Sequence, residues 1–126
     1  MAMTQRQALE LWRRALTAYV RSDESDMTAR QQAVLMTVAL TPGPHTVRGL
    51  SSNLKIAKPA VTRALDVLEK AGFIRRIPDE NDLRSVLIER TVEGMTWLRA
   101  FGSNILAAEA GEFMDAPNSD ESRAVA

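Results

Sequence analysis

The sequence predicts a mostly α-helical chain carrying one small β-hairpin, and three observations lead there. Apolar residues recur at the helical period through most of the chain. Two capping boxes, Thr4-Gln5-Arg6-Gln7 and Thr28-Ala29-Arg30-Gln31, stand directly ahead of such runs. Between Phe73 and Arg90 the helical period gives way to two short apolar runs split by the charged segment PDENDLR.

Thr4 opens a first helix, whose apolar residues are Ala8, Leu9, Trp12, Ala15, Leu16, Tyr19 and Val20. The polar run SDESD breaks it. Thr28 opens a second helix through about Leu40, and TPGPH, two prolines around a glycine, stops it. Thr46 can cap a short helix that turns Val47, Leu50 and Leu54 inward. A brief turn at residues 55–58 follows, and Pro59 suits the first position of the next helix. Val61, Ala64, Leu65, Leu68 and Ala71 form that helix's apolar stripe, and Gly72 ends it. Pro59, Arg63, Asp66 and Lys70 lie opposite, with Thr62 at the edge. Phe73–Ile77 and Ser85–Arg90 read as the strands of a hairpin. Thr91 can cap a last helix containing Met95, Trp97, Leu98, Phe101, Ile105, Leu106 and Phe113. Those residues cover more than one face, so this helix needs burial on two sides. A short helix, a tight turn, a longer helix and a hairpin make a winged helix-turn-helix.

Composition narrows the function. The 126 residues suit one domain with an arm or tail, and an apolar fraction of 45% with 25% charged is ordinary for a globular domain. No run of about 18 apolar residues occurs, so no transmembrane helix is expected. The N-terminus MAMTQRQALELWRR lacks a signal-peptide pattern, which makes the cytoplasm the expected compartment. The chain has no cysteine, which removes disulfides, thiol nucleophiles and zinc knuckles. The one histidine, His45, sits in the TPGPH turn and reads as a turn or cap residue. With no acid–base pair, metal cluster or glycine-rich phosphate loop, neither an enzyme nor a cofactor is expected. Net charge is zero, but it is unevenly spread. Residues 45–90 hold nine Lys or Arg against six Asp or Glu, and residues 91–126 hold two against six. The basic excess falls on the helix-turn-helix and hairpin, a modest nucleic-acid footprint.

In such a fold the longer helix enters the major groove and reads bases with its N-terminal residues. Here those are Lys58, Pro59, Ala60, Thr62 and Arg63. Arg63 can pair bidentately with guanine, and Thr62 can bond a base or a phosphate. In the hairpin, Asp82 stands near Arg84 and could hold its guanidinium extended, a shape that fits a narrow A·T-rich minor groove. Arg75 and Arg76 lie at the hairpin base, on opposite faces, so that one faces phosphate.

The segment Thr28 to Gly94 resembles the MarR family of bacterial winged-helix transcriptional regulators. The resemblance rests on AVTRALDVLEKAGFIRR in the recognition helix and on a wing signature that stands here as Asp82, Arg84, Val86, Leu87, Ile88, Thr91 and Gly94. It implies a homodimer, joined by first and last helices, on a pseudo-palindromic operator. Repression is the family's usual mode, with frequent release by a small aromatic or phenolic, often acidic, effector. Residues 1–27 would then be a dimerisation helix and linker, 28–90 the DNA-binding domain, 91–114 a second dimerisation helix and 115–126 a disordered tail. Leu9, Trp12, Leu16, Tyr19, Trp97, Phe101 and Ile105 would supply the dimer interface, or else close a monomeric core. Three features depart from the family: Arg90 replaces an apolar residue before Thr91, Leu83 replaces a polar residue at the wing tip, and the C-terminal arm is short. The rival function is a winged helix used for protein contacts without specific DNA binding.

Overall fold

The computed structural model describes residues 2–24 and 26–111. The chain runs α1 (Gln5–Arg21), α2 (Ala29–Leu40), α3 (Val47–Leu54), α4 (Lys58–Lys70), β1 (Ile74–Asp79), β2 (Asp82–Arg90) and α5 (Val92–Ala110). The predicted mostly helical winged helix-turn-helix is the observed fold. Phe113 and the C-terminal segment expected to be disordered lie outside the described residues. Two compact units are present, one of residues 27–98 and one of α1 with the latter part of α5.

The first unit is the winged lobe. Thr28 and Gln31 exchange both capping-box hydrogen bonds at the start of α2, at 3.0 and 3.1 Å. Thr46 caps α3 by accepting from the Gly49 amide at 3.0 Å. Lys55 ends α3 in the left-handed conformation, φ 57°, which turns the chain sharply enough to start α4 three residues on. Pro59 is the second residue of α4 rather than the first as expected. The shift is harmless, because the second amide of a helix also lacks an intrahelical acceptor. Gly72, at φ +86°, closes α4 in a Schellman motif: its amide donates to the Glu69 carbonyl and that of Phe73 to Leu68, both at 2.9 Å. Leu35, Leu50, Val61, Leu65, Leu68 and Ile74 fill the lobe's core.

β1 and β2 form an antiparallel hairpin, in register from Ile74↔Arg90 to Pro78↔Val86. The strands reach further than the sequence suggested. The loop is only Glu80-Asn81 rather than all of PDENDLR. In a two-stranded ribbon every strand is an edge, so Pro78 removes no ladder bond from a third strand. Side chains serve the tip instead: Asp79 accepts from the Asn81 amide and Asp82 from the Arg84 amide. His45 joins the far edge of the hairpin, its carbonyl accepting from the Ile88 amide at 2.9 Å. The ring nitrogen Nε2 of His45 lies 3.1 Å from the Thr41 carbonyl, so the histidine is a turn residue.

The start of α5 explains the Thr-x-x-Gly signature. The Thr91 hydroxyl donates to the Gly72 carbonyl at 2.6 Å and accepts from the Gly94 amide at 3.0 Å. Gly94 lies against the Phe73 carbonyl so closely that any Cβ would collide with it. One turn on, Trp97 packs against Phe73 with ring centroids 5.9 Å apart.

In the second unit Thr4 and Gln7 form the capping box of α1. The Phe101 ring meets Trp12 and Tyr19 edge-on, at 6.4 and 5.8 Å. Arg14 donates to the Ala108 carbonyl at 3.3 Å.

Candidate nucleic-acid interface

The helix that follows the tight turn presents Lys58, Pro59, Thr62, Arg63, Asp66 and Lys70 to solvent. Ala60 does not belong with them. It is 7% exposed and stacks with Ala64 and Leu68, leaving only a small surface that lines the cleft with Arg30 and Arg63. The reason is helical spacing: residues 60, 64 and 68 lie one above another.

The cations of the lobe divide into two sets. Arg75, Arg76 and Arg90 are used within the fold. Arg75 pairs with Glu89 across the hairpin at 3.1 Å. Arg76 reaches back to α4, where its guanidinium meets Glu69 at 2.6 Å and Asp66 at 2.9 Å. Those hydrogen bonds hold the Glu69 carboxyl below its usual range and hold Arg76 more firmly charged. The two arginines do lie on opposite faces of β1, as strand alternation requires, but Arg76 serves as a tie between wing and recognition helix. Arg90 donates to the Ala39 carbonyl at 2.7 Å, at the carboxyl end of α2. A cation suits that site, where unpaired carbonyls concentrate negative charge.

Arg48, Lys58 and Arg63 have no ion-pair partner among the described residues. Arg84 is 97% exposed, and its guanidinium approaches Asp82 only to 3.9 Å. That contact is long for the hold expected of Asp82. Its carboxylate instead accepts from the Arg84 amide at 3.1 Å and the Ser85 hydroxyl at 3.2 Å, which shapes the backbone of the wing tip.

A trough of about 620 Å³ runs between the start of α3, the start of α4 and the wing. Thr46, Val47, Arg48 and Lys58 line one side, with Asp82, Arg84, Ser85 and Val86 on the other. Arg48, Lys58 and Arg84 thus converge on one concavity, against the single carboxylate of Asp82. A smaller cleft beside the start of α2 is lined by Arg30 and Arg63 among others. Arg48 and Arg30 were not singled out from the sequence. Each lies two residues past a threonine cap, and no periodicity marks it. Only the packing of α2 and α3 beside α4 brings them to this face.

Of the residues expected at a dimer interface, Tyr19, Trp97 and Phe101 are buried by the chain's own residues. Leu16 and Ile105 are half-buried, while Leu9 and Trp12 are exposed. Among the described residues no cluster could hold a metal ion, and no helix is long and apolar enough to cross a membrane.

A short helix, a left-handed turn, an exposed second helix and a hairpin at its end define a winged helix-turn-helix protein. Residues 27–86, just under half of the chain, match the model of the MarR family. It is 37% identical over 70 residues to the HTH-type transcriptional regulator PecS of Dickeya dadantii, a match that covers 54% of this chain and 42% of that one. It is 39% identical over 69 residues to the multiple antibiotic resistance protein MarR of Salmonella typhimurium, covering 55% and 47%. The matched segments span less than half the length of these relatives. Among solved structures, the Staphylococcus aureus MepR–DNA complex aligns with a TM-score of 0.67 at 22% identity, over 96% of this chain and 94% of that one. The transcriptional repressor CouR bound to a 23-mer DNA duplex aligns at 0.64 and 23% identity, over 96% and 82%. At these identities the structural likeness speaks for the fold.

Proposed function

We propose that this chain is a sequence-specific, double-stranded-DNA-binding transcriptional regulator that acts as a cytoplasmic homodimer on a pseudo-palindromic operator. The observation that carries the reading is the convergence of Arg48, Lys58 and Arg84 on one trough, with Arg63 free on the adjoining helix face. A duplex offers a matching array: a major groove for α4, a phosphodiester ridge, then a minor groove for the wing. Arg63 and Thr62 read base edges. Lys58 and Arg48 neutralise the ridge between the grooves. Arg84 enters the minor groove, where negative potential attracts it.

Residues 28–90 are thereby assigned to DNA, and the helices within 1–27 and 91–114 to pairing. The exposed Leu9, Trp12 and Leu106 give the second unit apolar surface that a partner subunit would cover. Two recognition helices then meet half-sites about one helical turn, ~34–36 Å, apart. Occupying the operator represses. A small aromatic effector that binds more tightly to a conformer with the wrong helix spacing releases the protein. The names of the relatives, regulators by description, support the class of activity.

The test is selection from a random duplex library with purified protein at two salt concentrations. An enriched two-fold palindrome is expected. Weak, salt-sensitive retention without enrichment would reduce the function to phosphate contact. No retention would put the protein-contact reading first.

A further inference from the structure

Leu83 has no role in that account, yet it stands 83% exposed on the element said to touch DNA. The hairpin register jumps from Pro78↔Val86 to Asp79↔Asp82, so residues 83–85 of β2 oppose nothing on β1. They form a bulge at the tip, and the Asp82 carboxylate holds its shape through the Arg84 amide and Ser85 hydroxyl. The bulge thrusts an apolar side chain and a guanidinium outward from adjacent positions. Val86, also exposed, continues the apolar surface into the trough beside Arg84 and Lys58.

A lone exposed leucine needs no explanation on most surfaces. This one adjoins a cation-lined trough, and the chemistry of a minor groove is two-fold in the same way. Its floor presents base acceptors that attract a guanidinium, while its walls are the C–H faces of deoxyribose. We propose that Leu83 packs on the deoxyribose wall of the minor groove that receives Arg84, adding an apolar contact that does not depend on salt. The inference rests on the DNA-binding reading. The occupant is the sugar edge of a duplex, because Arg48 and Lys58, assigned to the phosphate ridge, line the same trough beside the wing. A partner protein would have to bring an acidic rim around an apolar spot to satisfy the same surface.

The experiment compares wild type with Leu83→Ala, Leu83→Asn and Arg84→Ala on the duplex that selection enriches. Dissociation constants are measured over a salt series, and hydroxyl radicals, which attack sugar hydrogens in the minor groove, map the protected riboses. Both Leu83 variants should bind roughly fivefold more weakly at every salt concentration, as partial burial of one leucine implies. Their salt slope should match wild type, and cleavage should return at the flanking sugars. Arg84→Ala should instead lower the slope by about one. Unchanged affinity in both Leu83 variants, unchanged sugar protection, or a loss that vanishes at high salt would overturn the inference while DNA binding stands. A wild-type protein that enriches no duplex would overturn the DNA-binding reading and this contact with it.

Discussion

Replacing Gly94 by alanine should destabilise the protein, and the sign of that effect is the informative part. Gly94 is the third residue of α5. On helix propensity alone, alanine in place of a helical glycine gains up to about 1 kcal/mol. Here the new Cβ would collide with the Phe73 carbonyl, a backbone atom that cannot swing away. Relief requires the first turn of α5 to lift from the end of α4. That movement breaks the 2.6 Å bond from Thr91 to the Gly72 carbonyl and the 3.0 Å cap to the Gly94 amide, and loosens Trp97 on Phe73. The hydrogen bond and the cap contribute about 1 kcal/mol each. Poorer packing of two aromatic rings adds about 1 kcal/mol more. Against the propensity gain, the net loss is about 2 kcal/mol. Urea denaturation followed by far-UV circular dichroism measures it. Gly102→Ala is the control in the same helix: nothing lies within 4 Å of its Cβ position, so a gain of about 0.5–1 kcal/mol is expected. A Gly94→Ala protein as stable as wild type, or more so, would refute the close-approach account of the Thr-x-x-Gly signature.

Other outcomes follow from the divided set of cations. Arg63→Ala should cost about 1–3 kcal/mol on the enriched duplex and relax base preference at one position, read by competition with single-base variants; equal loss on all sequences would remove its base contact. Arg48→Ala should weaken binding to every sequence alike and lower the salt slope by about one, whereas Arg84→Ala should weaken sites with A·T-rich flanks most. Glu69, whose carboxyl is held below the ordinary glutamate range by its hydrogen bonds from Arg76, should make acid unfolding steeper. The unfolded chain takes up this proton first as pH falls. The contribution of Glu69 is therefore complete above about pH 4.5 and is lost as pH drops through its depressed folded value. Glu69→Gln should flatten the stability profile in that window, measured by urea midpoints at successive pH values; an unchanged slope would mean that Arg76 does not hold it.

What could be read from the sequence was local. The caps at Thr4, Thr28, Thr46 and Thr91 satisfy amides only three residues away, and each is found where the sequence pointed. The hairpin was legible, but its ends were not. Pro78 and the acidic run look like a loop, and only pairing shows that a two-stranded ribbon tolerates them. The near-burial of Ala60 was legible too, since its spacing to Ala64 and Leu68 already placed it mostly inward. The fates of the arginines were not legible at all. Arg76 finds Glu69 seven residues back, and Arg90 finds Ala39 from 51 residues away. Nothing in a linear pattern separates such internal ties from Arg63 or Arg84, whose charges remain available.

The bond from Arg90 to the Ala39 carbonyl also bears on how the lobe breathes. It couples the last residue of β2 to the end of α2, and the Ile88 amide is held by the His45 carbonyl on the same side. Fraying of the hairpin root would therefore uncap α2 and release the TPGPH turn at the same moment. In native-state hydrogen exchange, the amides of Thr41 and Ile88 should open together as one cooperative unit, while the Arg84 tip exchanges on its own and far faster.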